Sequence, residues 1–183
     1  MIYTFLANGL EEVECLAVVD ILRRAKEEVK LVSVTGAREV TGSHQITIKA
    51  DALIEDVDFT QADLLFLPGG MPGTVNLGNC ELLCRQLQAF AAEGKRLAAI
   101  CAAPSVLGQL GILKGKAATC YPGFEEKLTG ATVTTAGVVT DGNVTTAKGL
   151  GVALELGLEL VKLLQGAEQS EGIRASIQYP DFV

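Results

Sequence analysis

A single cysteine stands where an apolar run gives way to a helical pattern. Residues 97–100 are apolar and typical of a buried strand, and Cys101 is followed by Ala102, Ala103 and Pro104. Proline is tolerated in the first turn of a helix, so the pattern predicts a strand-to-helix turn that exposes the thiol at the sheet edge. We expect a reactive Cys101 with a thiol pKa of about 3.5–7.5, favoured by the helix dipole. The alternative is a small, buried, unreactive cysteine.

Glu14 heads an apolar stripe on a predicted helix. The stripe consists of Ala17, Val18, Ile21 and Ala25. A carboxylate in this position is costly unless it has a partner or keeps its proton. If Glu14 faces Cys101, we expect the sulfur to carry the charge and Glu14 to hold the proton and donate a hydrogen bond. The alternative is an ordinary first-turn acid beside Glu11 and Glu12.

Four further residues could belong to a site. Gly69 and Gly70 directly follow an apolar run, where glycines let backbone N–H groups approach a ligand or an oxyanion, although a tight turn explains them equally well. Tyr121 is a candidate polar wall, or else an aromatic ring packed under a turn. His44, the single histidine, lies in a predicted hairpin, where a solvated side chain is the usual outcome.

Composition excludes several classes of protein. The chain has 183 residues, 49% of them hydrophobic, and a net charge of -7 without a basic stretch, which argues against nucleic acid and anionic membrane as partners. Five cysteines at irregular spacings predict reduced thiols in a cytoplasmic protein. With one histidine and no second pair to match Cys80 and Cys84, we expect no metal site, and the chemistry at Cys101 needs no cofactor.

Short apolar strands alternate with helices along the chain. This pattern predicts one α/β domain over residues 1–183, with a mostly parallel sheet and helices on both faces. Binding sites in such sheets lie at the carboxyl ends of the strands. The predicted strands are 2–7, 29–35, 64–67, 97–100 and 132–135, with hairpins at 39–48 and 138–147; the predicted helices are 11–25, 81–92, 102–110, 151–164 and 167–177.

Four segments together carry a family resemblance. They are Gly-Leu-Glu-Glu-Val-Glu (9–14), Leu-Pro-Gly-Gly (67–70), Ala-Ile-Cys-Ala-Ala-Pro (99–104) and Thr-Ala-Lys-Gly-Leu-Gly (146–151). Jointly they resemble the DJ-1/ThiJ/PfpI superfamily, and within it the DJ-1-like branch. The resemblance implies a flavodoxin-like fold with a nucleophile elbow, and commonly a homodimer. It matches Cys101 to the family's reactive cysteine, Glu14 to the acid that hydrogen-bonds it, and Gly70 and Ala102 to the backbone of the oxyanion pocket.

The resemblance also implies a function. We expect a cysteine-dependent glyoxalase or deglycase that converts 2-oxoaldehydes such as methylglyoxal to 2-hydroxy acids without glutathione, so the partner is a small reactive carbonyl compound. The alternative is a redox sensor or stress chaperone oxidised at Cys101. Tyr121 stands where many DJ-1-like members have a histidine, and His44 stands near a common arginine, so a Cys-His dyad and its peptidase chemistry are not expected.

Overall fold

Eleven strands and six α-helices are present in the computed structural model, which describes residues 1–180. The last three residues of the predicted domain, 181–183, lie outside the described part. The strands are β1 (Ile2–Leu6), β2 (Val29–Ser33), β3 (Glu39–Thr41), β4 (Thr47–Lys49), β5 (Ala52–Leu53), β6 (Leu64–Leu67), β7 (Arg96–Ile100), β8 (Ala117–Ala118), β9 (Thr132–Val133), β10 (Val138–Asp141) and β11 (Val144–Ala147). The helices are α1 (Glu12–Arg24), α2 (Gly73–Gly78), α3 (Glu81–Ala92), α4 (Pro104–Gln109), α5 (Ala153–Gln165) and α6 (Ala167–Ser176).

The central sheet has seven strands in the order β10-β11-β7-β6-β1-β2-β5. All neighbours are parallel except β10, which pairs antiparallel with β11 in a hairpin. The carboxyl ends of β1, β6, β7 and β11 therefore meet at one edge. This arrangement confirms the predicted flavodoxin-like α/β fold.

Each central strand is buried on both of its faces. In β1, Ile2 and Leu6 pack on one side, whereas Tyr3 and Phe5 pack on the other, because successive side chains of a strand point in opposite directions. The first side is covered by α1, α5 and α6, and the second by α2, α3 and α4. Burial on both faces explains why these strands are continuous apolar runs rather than alternating ones.

Helix α1 begins at a side-chain cap. The Glu11 carboxylate accepts the backbone N–H of Glu14 at 2.6 Å, which satisfies one of the free donors of the first turn. Glu12 and Glu14 lie in that turn, and Arg23 and Arg24 lie in the last, as the helix dipole favours. The cap fixes where α1 starts and hence where Glu14 lies relative to the sheet edge.

Several predicted boundaries are wrong. The helix expected from residue 102 begins at Pro104, since residues 101–103 form the turn itself. The strand expected at 132–135 is the two-residue β9, which pairs with β8 outside the central sheet. A 3₁₀ turn, Leu150–Val152, precedes α5, so this helix begins at Ala153 rather than 151. The pattern missed α2, β5 and β8 because six-residue and two-residue elements carry almost no periodicity.

Candidate active site

Cys101 lies directly after β7 in a left-handed backbone conformation. Its φ of 64° is uncommon for a residue with a side chain and marks local strain. The Cys101 N–H donates to the Ala147 carbonyl at 2.9 Å, and the Cys101 carbonyl accepts the Tyr121 N–H at 2.8 Å. Contacts from two other segments therefore hold the turn, and the structure has the strand-to-helix elbow that the sequence predicts.

The sulfur of Cys101 meets three polar groups. The Glu14 carboxyl shares a hydrogen bond with it, and the backbone N–H groups of Gly70 and Ala102 also lie in hydrogen-bond contact. The thiol is half-buried, so it remains open to a small reagent. The predicted site residues therefore come together at the carboxyl ends of β6 and β7.

Glu14 is buried, with only 1% of its surface exposed. Its Oε2 accepts the Gly69 N–H at 3.1 Å, and its carboxyl also accepts the N–H of Leu150. The sequence pattern around Glu14 shows no partner for its carboxyl. In the structure, two backbone N–H groups and the Cys101 thiol are its hydrogen-bond partners. Glu14 does lie in the first turn of α1, as the alternative held, but its carboxyl is buried beside Cys101.

Glu14 and Cys101 compete for one negative charge. Burial raises the pKa of Glu14 to about 7, although the Cys101 and backbone hydrogen bonds oppose the rise. Burial and the Glu14 charge raise the pKa of the Cys101 thiol to about 12, against the lowering effect of the Gly70 and Ala102 N–H groups. The expected thiol pKa of about 3.5–7.5 is therefore wrong, and so is the expectation that the sulfur carries the charge at neutral pH, because Glu14 loses its proton first. A thiolate forms readily only when Glu14 keeps the proton.

The glycines after β6 make the close approach possible. A Cβ on Gly69 would lie 2.5 Å from both the Cys101 Cβ and the Glu14 Oε2. Gly70 has a φ of 91°, and a Cβ there would collide with the Glu11 backbone nitrogen. The two glycines donate their N–H groups to different partners: Gly69 donates to the Glu14 carboxyl, and Gly70 donates to the Cys101 sulfur.

Tyr121 lines a hollow beside the elbow. Its side chain is 51% exposed, and its ring lies close to Gly149, whose own Cα region borders the Glu14 carboxyl. The hollow has a volume of about 370 Å³ and a largely apolar lining. Tyr121 therefore lines the hollow with a half-exposed ring, and its part in binding a substrate stays a prediction.

Comparison with known proteins shows which family the chain belongs to. The profile of the DJ-1/PfpI family matches residues 1–163. The chain belongs to the DJ-1/PfpI family. It is 39% identical over 166 residues to protein DJ-1 homolog B of Arabidopsis thaliana, covering 90% of this chain and 38% of that protein. It is 34% identical over 162 residues to a protein of Pyrococcus abyssi named a deglycase, covering 87% of this chain and 96% of that protein.

A solved structure of a DJ-1 protein from Toxoplasma gondii, described as oxidized, superposes with a TM-score of 0.94. It is 34% identical, and the match covers 98% of each chain. The chain spans less than half the length of the Arabidopsis relatives that it matches. Among residues 1–180 of this DJ-1/PfpI member, none of the helices has the length and apolar character needed to cross a membrane.

His44 does not reach the cysteine. Its Nδ1 lies 2.9 Å from the Glu12 Oε2 and 3.6 Å from the Glu11 Oε1, and the ring is 66% exposed. The hydrogen bond to Glu12 raises the pKa of His44. Glu12 also accepts the backbone N–H groups of His44 and Ile46, so these hydrogen bonds connect the β3–β4 hairpin to α1.

Ligand atoms of Glu11, Glu12 and His44 lie within 4.8 Å of one another, so these three residues could hold a cation.

Two contributors to the site were missed by sequence reasoning. The N–H of Leu150 binds Glu14, and Lys148 lines the hollow with Tyr121. Both residues belong to the 146–151 segment. This segment is one of the four that resemble the family, but the sequence pattern indicates no role for its residues. The available signal was a pair of glycines, Gly149 and Gly151, directly after a strand at the same sheet edge as Cys101.

Proposed function

We propose that this DJ-1/PfpI protein is a cysteine-dependent glyoxalase or deglycase that acts on small 2-oxoaldehydes without glutathione. The single observation that carries the proposal is the hydrogen bond between the buried Glu14 carboxyl and the Cys101 sulfur. It joins a nucleophile to an acid whose pKa of about 7 suits proton transfer in both directions near neutral pH. The name of the Pyrococcus relative, deglycase, agrees with this class of reaction.

The first step is addition of sulfur to the aldehyde. With the shared proton on Glu14, the Cys101 thiolate attacks the aldehyde carbon, and the carbonyl oxygen takes the displaced electron pair. The N–H groups of Gly70 and Ala102 stabilise this oxyanion, and Glu14 then protonates it. The product is a hemithioacetal on Cys101, and Glu14 is left ionised.

The second step moves one proton between neighbouring carbons. Ionised Glu14 removes the hydrogen from the former aldehyde carbon as a proton and returns it to the adjacent ketone carbon, while the hydroxyl proton of the hemithioacetal passes to the ketone oxygen. The first carbon is thereby oxidised to a thioester while the second is reduced to an alcohol, so no external oxidant or reductant is consumed. Water then cleaves the thioester, which releases the 2-hydroxy acid and restores the thiol. No cofactor enters this sequence.

A glutathione-free assay tests the proposal. We expect D-lactate to form from methylglyoxal with the wild-type protein and not with Cys101→Ala. A second arm offers the same enzyme a preformed adduct of methylglyoxal with an amine, and compares its loss with the loss of free methylglyoxal. Loss of the adduct faster than its own dissociation identifies a deglycase, whereas loss that is limited by adduct dissociation and slower than that of free methylglyoxal identifies a glyoxalase. Absence of turnover in every arm overturns the proposal.

Oxidation of Cys101 is the second candidate function. The Toxoplasma gondii relative was solved in a form described as oxidized, and this chain has a half-buried thiol, Cys101, at its elbow. A sulfinate at Cys101 would find donors in Gly70, Ala102 and protonated Glu14. This candidate predicts stoichiometric oxidation by peroxide together with negligible methylglyoxal turnover.

We further propose that the working form is a cytoplasmic homodimer. Apolar side chains stand exposed on α1 and α5, which pack against each other; Val13, Leu16 and Leu154 are 39% to 50% exposed. Val13 and Leu16 are three residues apart and so share one face of α1. Burial of this patch against a second copy accounts for its apolar character. The five cysteines are all free, which suits a reducing compartment.

A further inference from the structure

Lys148 places a positive charge beside the elbow. It follows Ala147, which pairs with Ile100 in the parallel β11–β7 ladder, so Lys148 is the neighbour of Cys101 across the two strand ends. Adjacent strands lie about 4.8 Å apart, and the lysine stem is long and flexible. Lys148 also lines the adjoining hollow. We therefore expect its ammonium to be able to reach a group that is held by the Cys101 sulfur.

The ammonium of Lys148 has no anionic partner within residues 1–180. Its side chain makes neither an ion pair nor a hydrogen bond there, and only its backbone N–H is engaged, with the Gly137 carbonyl. The side chain is half-buried, and it is the single charged residue lining the 370 Å³ hollow. A half-buried cation in an apolar hollow is stabilised by an anion, and residues 1–180 supply none to Lys148.

The opposite wall supplies a second polar group. The Tyr121 N–H is bound to the Cys101 carbonyl, so Tyr121 and Lys148 flank the same cysteine from two sides. The phenol oxygen of Tyr121 also has no hydrogen-bond partner in the described part of the chain. Between these two polar ends the lining consists of Pro122, Leu150 and Val152 with glycines. The hollow thus fits a short carbon chain that ends in an oxyanion.

We propose that Lys148 binds the carboxylate of the substrate, so that the preferred substrates are 2-oxoaldehydes that carry a carboxylate on a short aliphatic chain. This inference rests on the proposed function and narrows its substrate class. Sulfur addition occurs at the aldehyde end, and the carboxylate end extends into the hollow toward Lys148. The matching product is a 2-hydroxy dicarboxylic acid, formed by the same balanced proton transfer and hydrolysis.

Two substrates of nearly equal chemistry test this assignment. One is 4,5-dioxopentanoate, a 2-oxoaldehyde with a carboxylate that yields 2-hydroxyglutarate; the other is the uncharged 2-oxopentanal. We expect a wild-type kcat/KM about tenfold to a hundredfold higher for the anion, as one charge-assisted hydrogen bond supplies. In Lys148→Met this advantage disappears through a higher KM with little change in kcat, and Lys148→Arg retains it. Lys114→Met, which removes an exposed charge elsewhere, leaves both substrates unaffected.

A binding measurement separates this inference from the proposed function. In the Cys101→Ala background, calorimetry follows binding of 2-hydroxyglutarate and of 2-hydroxypentanoate, with and without the additional Lys148→Met substitution. Tighter binding of the dicarboxylate that depends on Lys148 supports the anion site even if no substrate is turned over. Turnover of methylglyoxal with equal kcat/KM for the anionic and neutral substrates, and equal binding of both acids, overturns the inference and leaves the proposed function standing.

Discussion

Glu14 and Cys101, one from the first turn of α1 and the other from the end of β7, share a hydrogen bond inside the protein. Neither group can ionise without raising the pKa of the other, because both are largely buried and the two charges would be adjacent. The pair therefore loses one proton near pH 7 and keeps the second well above it. This single shared proton is the basis of the mechanism proposed above.

The first prediction concerns Glu14→Gln. Glutamine can donate a hydrogen bond to sulfur but cannot transfer a proton, so we expect turnover of methylglyoxal to fall by about 10²–10⁴. Wild-type turnover should rise with pH through about 7, where the pair loses its first proton, and this rise should be absent from the variant. The pH profile of lactate formation measures both effects. Wild-type turnover in Glu14→Gln would exclude Glu14 as the base.

The same variant has an expected effect on stability. The pKa of Glu14 is raised from 4.5 to about 7, so the stability contributed by its protonated form is complete below pH 4.5 and is lost as pH rises through about 7. Glu14→Gln should therefore exceed the wild type in unfolding free energy by up to about 3 kcal/mol at pH 8, and by little at pH 4.5. Urea denaturation at both pH values measures this, and Glu81→Gln, at a side chain 91% exposed, is the control.

The second prediction concerns Gly69→Ala. The new methyl would collide with the Cys101 Cβ and the Glu14 Oε2, and the crowding should cost about 1–3 kcal/mol of unfolding free energy. It should also separate the acid from the thiol and abolish the pH-dependent rise in Cys101 reactivity. Gly172→Ala in α6 is the matched control, because a Cβ there meets nothing within 4 Å. Equal stability of the two variants would contradict the collision.

Much of this site could be predicted because its elements have clear patterns in the sequence. An uninterrupted apolar run is required of a strand buried on both faces, so β1, β6 and β7 were recognisable, and their carboxyl ends located the site. The apolar stripe behind Glu14 indicated that this carboxyl faces inward. Its acidic neighbour Glu12 has the same charge and sequence setting, yet it faces the β3–β4 hairpin.

The rest depends on distances between segments far apart in sequence. The apolar stripe cannot reveal that Gly69 and Leu150 supply N–H donors to Glu14, nor that burial outweighs those donors in setting the thiol pKa. The position of Cys120 before Tyr121 predicts partial access to solvent, but Cys120 is buried just after β8, only 5% exposed. The side chains of adjacent residues can point in opposite directions. The exposure of Tyr121 therefore does not predict the exposure of Cys120.

The third prediction concerns Tyr121→Phe. Loss of the hydroxyl removes at most one hydrogen bond to a substrate oxygen, worth about 1–3 kcal/mol in a desolvated site, whereas Cys101→Ala removes the nucleophile. We expect Tyr121→Phe to retain at least about tenfold more turnover than Cys101→Ala. Steady-state assays of the two variants side by side provide the measurement. Equal, complete loss in both would show that Tyr121 takes part in generating the nucleophile.

The fourth prediction concerns His44→Asn. The His44 ring pairs with Glu12 and is 66% exposed, so turnover should stay within about twofold of wild type. Because Glu12 raises the pKa of His44, its ion pair stabilises the fold fully below the ordinary histidine pKa of 6.5 and loses this effect as pH rises above it. Melting temperatures should thus differ at acidic pH and converge at alkaline pH. A large loss of turnover would place His44 in the catalytic machinery after all.

The last prediction ranks the five thiols by reactivity. Cys15 is fully buried, and burial raises its pKa far above the ordinary value. Burial likewise raises the pKa of Cys120, to about 11, and that of Cys84. Cys101 differs because Glu14 can take its proton while Gly70 and Ala102 stabilise the thiolate.

Limiting iodoacetamide near pH 7.5 should therefore alkylate Cys101 before the other four, with a rate that rises through pH 7 as the pair deprotonates. Mild peroxide should carry the same residue to the sulfinic acid. Peptide mass spectrometry reads both modifications. Glu14→Gln serves as the control, since its Cys101 should react without the inflection near pH 7. If Cys80 or Cys120 is alkylated ahead of Cys101 in the wild type, the elbow does not activate its thiol, and neither the enzymatic nor the redox function can depend on it.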